Sequence, residues 1–145
     1  LSPSAQLDLS DPSWKIYSRN PVLPPHYVAD RSEVQNSLIT EGCNIYGTVD
    51  FSILFAGVTV EEGAVVRDSI IMPDTVIRRG AVVQYAIVGE NCRIGRDAQG
   101  GAPPETAQDP DDGGVAVLGP GTVIEDGEIV PAKTLLDRHH GEVKA

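Results

Sequence analysis

In the stretch GVTVEEGAVVRDSIIMPDTVIRRGAVV, residues 57–83, aliphatic residues return every five or six positions, with Gly, Asp or Ser between them. That beat matches neither a helix of about 3.6 residues per turn nor a strand that alternates at every second residue. It also extends well beyond this stretch. It runs through Val22, Val28 and Val34, then Ile39, Ile45 and Val49, then Leu54, Val60 and Val66. Ile71, Ile77 and Val83 follow, then Val88 and Ile94, and after an interruption Val117, Val123 and Ile129. Triplets beginning at Ile39, Leu54, Ile71 and Val88 restart after 15, 17 and 17 residues. Three short segments therefore make one turn of a larger coil.

The residue two before each aliphatic is Ser37, Cys43, Gly47, Ser52, Ala64, Ser69, Thr75, Ala81, Ala86 or Cys92, with Val58 the only bulky member. Residues two apart in an extended segment share a face. Each segment thus turns one large and one small side chain inward, which suits the taper of a narrow coil. Three residues after many of the aliphatics stands Gly42, Gly57, Gly63, Asp74, Gly80, Asn91, Asp97 or Asp126. These residue types tolerate the left-handed backbone of a sharp corner. The expected fold is all-β: a triangular solenoid of parallel strands, a hexapeptide-repeat β-helix, over residues 22–130. An antiparallel barrel or sandwich also uses short strands and turns, but it supplies no reason for the six-residue beat.

Fifteen Gly and eleven Pro against two Phe and one Trp agree with many turns and a core of small, branched side chains. The net charge of −10 argues against nucleic-acid or anionic-membrane partners, which need a positive field. No apolar run approaches the roughly 20 residues of a membrane span and no signal peptide is read, so a soluble cytoplasmic protein is expected. The chain opens on Leu1 rather than Met, which suggests a piece of a longer polypeptide. Residues 1–21, with DPSWKIY at their centre, are expected to be a lead-in that packs Trp14 on a neighbour. Residues 98–114, rich in Gly, Pro and acids, are expected to form a protruding loop. The tail, 131–145, would add a strand or short helix, or fray.

Little of this points to catalysis. His26, His139 and His140 all lie off the repeats and are poor material for a tetrahedral zinc site. No general-base His of the kind a hexapeptide acyltransferase needs faces the core. Cys43 and Cys92 fall three coils apart, roughly 14 Å at about 4.8 Å per strand, so they are expected to be free thiols. No GxxxxGK[ST] or GxGxxG element occurs.

Two surface features are more informative. Arg79 and Arg96 occupy equivalent positions one coil apart, with Glu62 one coil earlier. They form either a salt-bridge ladder or, with Arg78, Arg93 or Arg67, a phosphate-binding patch. On the outer side of the first segment of successive coils stand Leu38, Ile53 and Phe55, Ile70 and Met72, and Ile87. An apolar column of that kind marks a protein contact.

The segments DPSWKIYSRNPVLPPHYV and NSLITEGCNIYGTVDFSILFAGVTVEEGAVVRDSIIMPDTVIRRGAVVQYAIVGENCRIG, with the late GTVI, resemble the C-terminal portion of bacterial glucose-1-phosphate adenylyltransferases. SLITEGCNIYGTV leans towards the branch of noncatalytic regulatory subunits. The resemblance implies a left-handed β-helix that follows an N-terminal catalytic domain, in an enzyme making ADP-glucose and pyrophosphate from ATP and glucose 1-phosphate for glycogen or starch synthesis. It implies Mg²⁺ in that missing domain and neither catalytic residue nor cofactor in this chain. The implied partners are the chain's own catalytic domain, the subunits of a homo- or hetero-tetramer, and a sugar-phosphate or adenine-nucleotide effector held near Arg67, Arg78, Arg79, Arg93 and Arg96. The late insertion carries no arginine, a departure from some relatives. The alternatives are a hexapeptide acyltransferase and the β-helix domain of another sugar-phosphate nucleotidyltransferase.

Overall fold

A computed structural model of the chain describes residues 22–106 and 114–137, and the backbone of 141–144. The lead-in 1–21 with Trp14, the stretch 107–113, and His139 and His140 lie outside the described residues.

Short parallel strands follow one another around a triangle, and each pairs with its equivalent one coil on. Sheet A stacks β1 (Tyr27–Val28), β4 (Asn44–Ile45), β7 (Thr59–Val60), β10 (Val76–Ile77), β13 (Arg93–Ile94) and β16 (Val123–Ile124). Sheet B stacks β2 (Glu33–Gln35), β5 (Thr48–Asp50), β8 (Val65–Arg67), β11 (Val82–Gln84), β14 (Gln99–Gly100) and β17 (Ile129–Val130). Sheet C stacks β3 (Leu38–Ile39), β6 (Ile53–Leu54), β9 (Ile70–Ile71), β12 (Ala86–Val88), β15 (Ala116–Leu118) and β18 (Thr134–Asp137). A final strand, β19 (Gly141–Lys144), pairs antiparallel with β18. The result is the expected β-solenoid, of about six turns.

The beat becomes three inward columns. Val28, Ile45, Val60, Ile77, Ile94 and Ile124 line sheet A. Val34, Val49, Val66, Val83, Gly100 and Val130 line sheet B. Ile39, Leu54, Ile71, Val88, Leu118 and Leu136 line sheet C. From Ile45 to Ile94 the aliphatic members are fully buried, and so are the small residues two before them, Ser37 apart.

The structure departs from expectation after the insertion, at the N-terminal end and within 98–114. After the insertion the inward residues are Leu118, Ile124 and Val130, not Val117, Val123 and Ile129; Val123 and Ile129 are 56% and 66% exposed. Each of these late strands carries two adjacent aliphatics, so pattern alone leaves the phase open, and one residue of slip reverses every side chain. Hydrogen-bonded register decides it, with Val88 opposite Leu118 and Ile94 opposite Ile124. The left-handed corner accordingly falls on Gly127 rather than Asp126. At the other end Val22 is fully exposed and belongs to no strand. Within 98–114, Ala98 is buried and Gln99–Gly100 forms β14, so the coil continues into the stretch expected to be loop.

Candidate functional site

Sheet C carries the apolar column. Its outer residues Leu38, Ile53, Ile70 and Ile87 are directly opposed from strand to strand, and Phe55 and Met72 flank them two residues on. Val117 and Leu135 extend the column by two further strands. Leu38, Phe55, Ile87 and Leu135 are each more than a third exposed, while Ile53, Ile70, Met72 and Val117 are half-buried by their neighbours. Val117 escaped the sequence reading because it was assigned inward. The glycines three residues after Leu118 and Ile124, Gly121 and Gly127, carried the signal for the correct phase.

Beside the column the chain turns from sheet B to sheet C through a corner that the Gly/Asp rule did not identify. Asn36, Phe51, Asp68 and Tyr85 adopt φ of 47°, 46°, 46° and 49° there. Bulky residues rarely accept this conformation, and a hydroxyl relay supports it. Ser52 Oγ donates to the Asp50 carbonyl at 2.8 Å and accepts from the Ser69 N–H at 3.2 Å. Ser37 and Ser69 repeat both bonds one coil either way. Where Ala86 ends the serines, the Tyr85 carbonyl accepts directly from the Ala116 N–H. The corner residues and the column enclose two open grooves. One, of about 380 Å³, is lined by Asn36, Ser37, Leu38, Phe51, Ser52 and Ile53. The other, of about 250 Å³, is lined by Phe51, Ile53, Asp68, Ser69 and Ile70. Phe51 is a wall of both. The negative charge of Asp68, together with partial burial and Glu105, raises the Tyr85 phenol above its ordinary range.

The arginines divide between two faces. Arg78 and Arg93 stand on the outer face of sheet A, on adjacent strands and diagonal to each other. Arg79 and Arg96 stand at the next corner, one coil apart. Arg67 is set apart on sheet B, opposite Asp50 and Gln84. The first rung of the anticipated ladder is present: Arg79 Nη2 lies 2.7 Å from Glu62 Oε2, with both side chains about two-thirds exposed. Glu61 accepts from the Arg79 backbone N–H at 2.8 Å, and Asp126 accepts from that of Arg96 at 2.7 Å. Carboxylates thus stand against Arg79 and Arg96 along the solenoid axis, and Arg67 lies on a different sheet from Arg78 and Arg93.

The interior offers packing rather than reactivity. Cys43 and Cys92 are free and buried. Burial raises both thiols above the ordinary value, against smaller lowering effects from hydrogen bonds. Their Sγ atoms lie 3.1 Å from the Phe55 carbonyl and 3.2 Å from the Gly119 carbonyl. Among the described residues no group of three or more His, Cys, Asp or Glu is placed to hold a metal, and His26 is exposed. No helix among them is long and apolar enough to cross a membrane.

Residues 24–117 match the family described as GlmU-like, C-terminal hexapeptide. The glucose-1-phosphate adenylyltransferase of Acetivibrio thermocellus is 38% identical over 141 residues, covering 94% of this chain and 33% of that protein. The enzyme of that name from Bacillus mycoides is 53% identical over 68 residues, covering 47% of this chain and 18% of that protein. The chain thus spans at most about a third of the length of these curated relatives.

Proposed function

Because the chain belongs to the GlmU-like C-terminal hexapeptide family, we propose that it is the assembly and regulatory domain of a glucose-1-phosphate adenylyltransferase. The observation that carries this reading is the apolar column on sheet C. A row of six aliphatics from Leu38 to Leu135 along one face of paired strands suits contact with another subunit. The parent enzyme would join ATP to glucose 1-phosphate in the cytoplasm, releasing pyrophosphate, with Mg²⁺ and the catalytic residues in a separate N-terminal domain. This domain would hold the subunits of a homo- or hetero-tetramer together. Arg78, Arg79, Arg93 and Arg96 would receive the phosphate of a sugar-phosphate or adenine-nucleotide effector, by the charge-assisted hydrogen bonds that guanidinium groups give to phosphate.

The test uses the whole reading frame that contains the segment. Pyrophosphate release from ATP and glucose 1-phosphate is assayed with and without sugar phosphates, then repeated with the segment deleted. Activity that is lost or deregulated on deletion supports the proposal; activity and regulation unaffected by deletion overturn it. A silent parent protein is then mixed with a catalytic homologue. Gain of a sugar-phosphate response in the mixture supports a regulatory subunit, and its absence rejects the reading. Arg93→Ala is expected to weaken effector binding by roughly ten- to a hundredfold, since one charge-assisted contact is worth about 1.5–3 kcal/mol.

A further inference from the structure

The coils are not all of one length, and the difference leaves a notch. Where sheet A passes to sheet B, five coils close the corner with a four-residue turn: Ala29–Ser32, Glu61–Ala64, Arg78–Ala81, Gly95–Ala98 and Glu125–Glu128. In each, the last N–H donates to the first carbonyl at 2.9–3.3 Å. The second coil has no such turn. Ile45 and Val49 are four residues apart, whereas Val28 and Val34, and Val60 and Val66, are six apart. Tyr46 and Gly47 cut this corner straight across. Gly47 is buried, and a Cβ built there meets the Glu61 and Ala64 carbonyls, so glycine lets the short corner lie against the third coil. The turns of the first and third coils therefore overhang a gap one strand layer high, about 4.8 Å. Ser32 Oγ donates to the Ile45 carbonyl at 2.8 Å and the Glu33 N–H to the Gly47 carbonyl at 3.3 Å, which fastens the first turn across the gap. The result is a cavity of about 210 Å³ lined by Ala29, Asp30, Arg31, Tyr46 and Glu62.

We propose that this notch binds one ring of an uncharged sugar. Tyr46 is 42% exposed, and its ring lies 5.8 Å from that of Tyr27, which braces it. An exposed aromatic face of this kind accepts the C–H face of a pyranose while polar groups at its edge take the hydroxyls. Both kinds of polar group are present: the Asp30 and Glu62 carboxylates accept, and the Arg31 guanidinium donates. Charge selects an uncharged ligand. Glu62 is already matched by Arg79 at 2.7 Å, and Asp30 is followed directly by Arg31, so neither a cation nor an anion meets an uncompensated opposite charge. The cavity holds about seven water volumes, room for a single sugar ring and not for a nucleotide. Its lining shares no residue with the sheet C column or with the arginines assigned to an effector, so the sugar site stands apart from the assembly and regulatory reading.

The test is a titration of the 145-residue chain, followed by amide chemical shifts, with D-glucose as the single ring and maltoheptaose as a chain of rings. Saturable shifts centred on Asp30, Arg31, Tyr46, Gly47 and Glu62 are expected, with a Kd of about 1–10 mM. That Kd should not change between low and high salt, because the ligand carries no charge. D-glucose binding as tightly as maltoheptaose assigns the site to a free monosaccharide, and tighter binding of maltoheptaose assigns it to a glycan chain. Tyr46→Ala should weaken binding roughly two- to tenfold, while Tyr46→Phe retains it. Inserting Glu-Gly between Tyr46 and Gly47 restores the missing turn, fills the notch and should abolish binding while the β-sheet circular dichroism persists. The Tyr46 variants decide the matter where that insertion fails to fold. Absence of saturable shifts with both sugars overturns the proposal, as does binding indifferent to Tyr46→Ala. Shifts at these residues from L-arginine and from neither sugar also overturn it, and make the notch a cation site.

Discussion

At the scale of single residues, the small inward side chains do more than save space. Ser52 is a relay: its hydroxyl donates to Asp50 and accepts from Ser69. Ser52→Ala would keep the volume nearly constant and leave the buried Ser69 N–H without its partner. A loss of about 1–3 kcal/mol is expected in denaturant unfolding, against a smaller loss for Ser37→Ala at the exposed end of the row. The two cysteines give a pH signature. A thiol with a raised folded pKa keeps its proton longer in the native chain than in the unfolded one. The resulting stability is fully present below the ordinary value of 9.0 and is lost as pH rises through the folded value. Unfolding free energy should therefore fall as pH rises above 9, and Cys43→Ala with Cys92→Ala should flatten that slope.

At the scale of strands and corners, stacked coils make each corner a neighbour of the next. Gly80 has φ of +73°, and a Cβ built there meets the Asp97 carboxylate. Gly80→Ala is expected to cost about 1–3 kcal/mol. Adding Asp97→Gly should recover the steric part and not the backbone part, a difference that a double-mutant cycle on thermal unfolding resolves. The same stacking explains why the Gly, Asn and Asp corners were legible in advance and the B–C corner was not. At Phe51 and Tyr85 the left-handed backbone falls on aromatic residues, whose own preference argues against it. Its support comes from serine hydroxyls on adjacent coils, 15 to 17 residues away in sequence.

At the scale of the molecule, the sheet C column has to be covered or tolerated. A charge at its centre tests which holds. Ile70→Glu points outward, so the thermal midpoint should change little. The sedimentation coefficient of the parent protein should drop to that of a smaller assembly, and an unchanged coefficient would remove sheet C from the interface. Arg67 offers a contrast: it lies on sheet B, away from Arg78 and Arg93, so Arg67→Ala should leave the effector binding proposed for Arg78, Arg79, Arg93 and Arg96 unaltered in a titration.

The solenoid itself was written in the sequence. One large and one small inward residue per segment, with a left-handed residue at two corners, recurs from Ile39 to Ile94, and local sterics on each short segment enforce it coil by coil. The membership of Leu38, Ile53, Phe55, Ile70, Met72 and Ile87 in one outer column followed from that period alone. Three matters waited for the tertiary structure. The phase after the insertion depended on the pairing of Leu118 with Val88 and Ile124 with Ile94, where the Leu118 and Ile124 carbonyls accept from the Gly89 and Gly95 N–H groups, since neighbouring aliphatics made either phase equally apolar. The separation of Arg67 from Arg78 and Arg93 depended on which sheet each strand joins. The exposure of Val28 and Val34 in the first coil, against the burial of Ile124 and Val130 in the last, depended on what stacks against each among the described residues, and a repeating pattern describes every coil as if it had two neighbours.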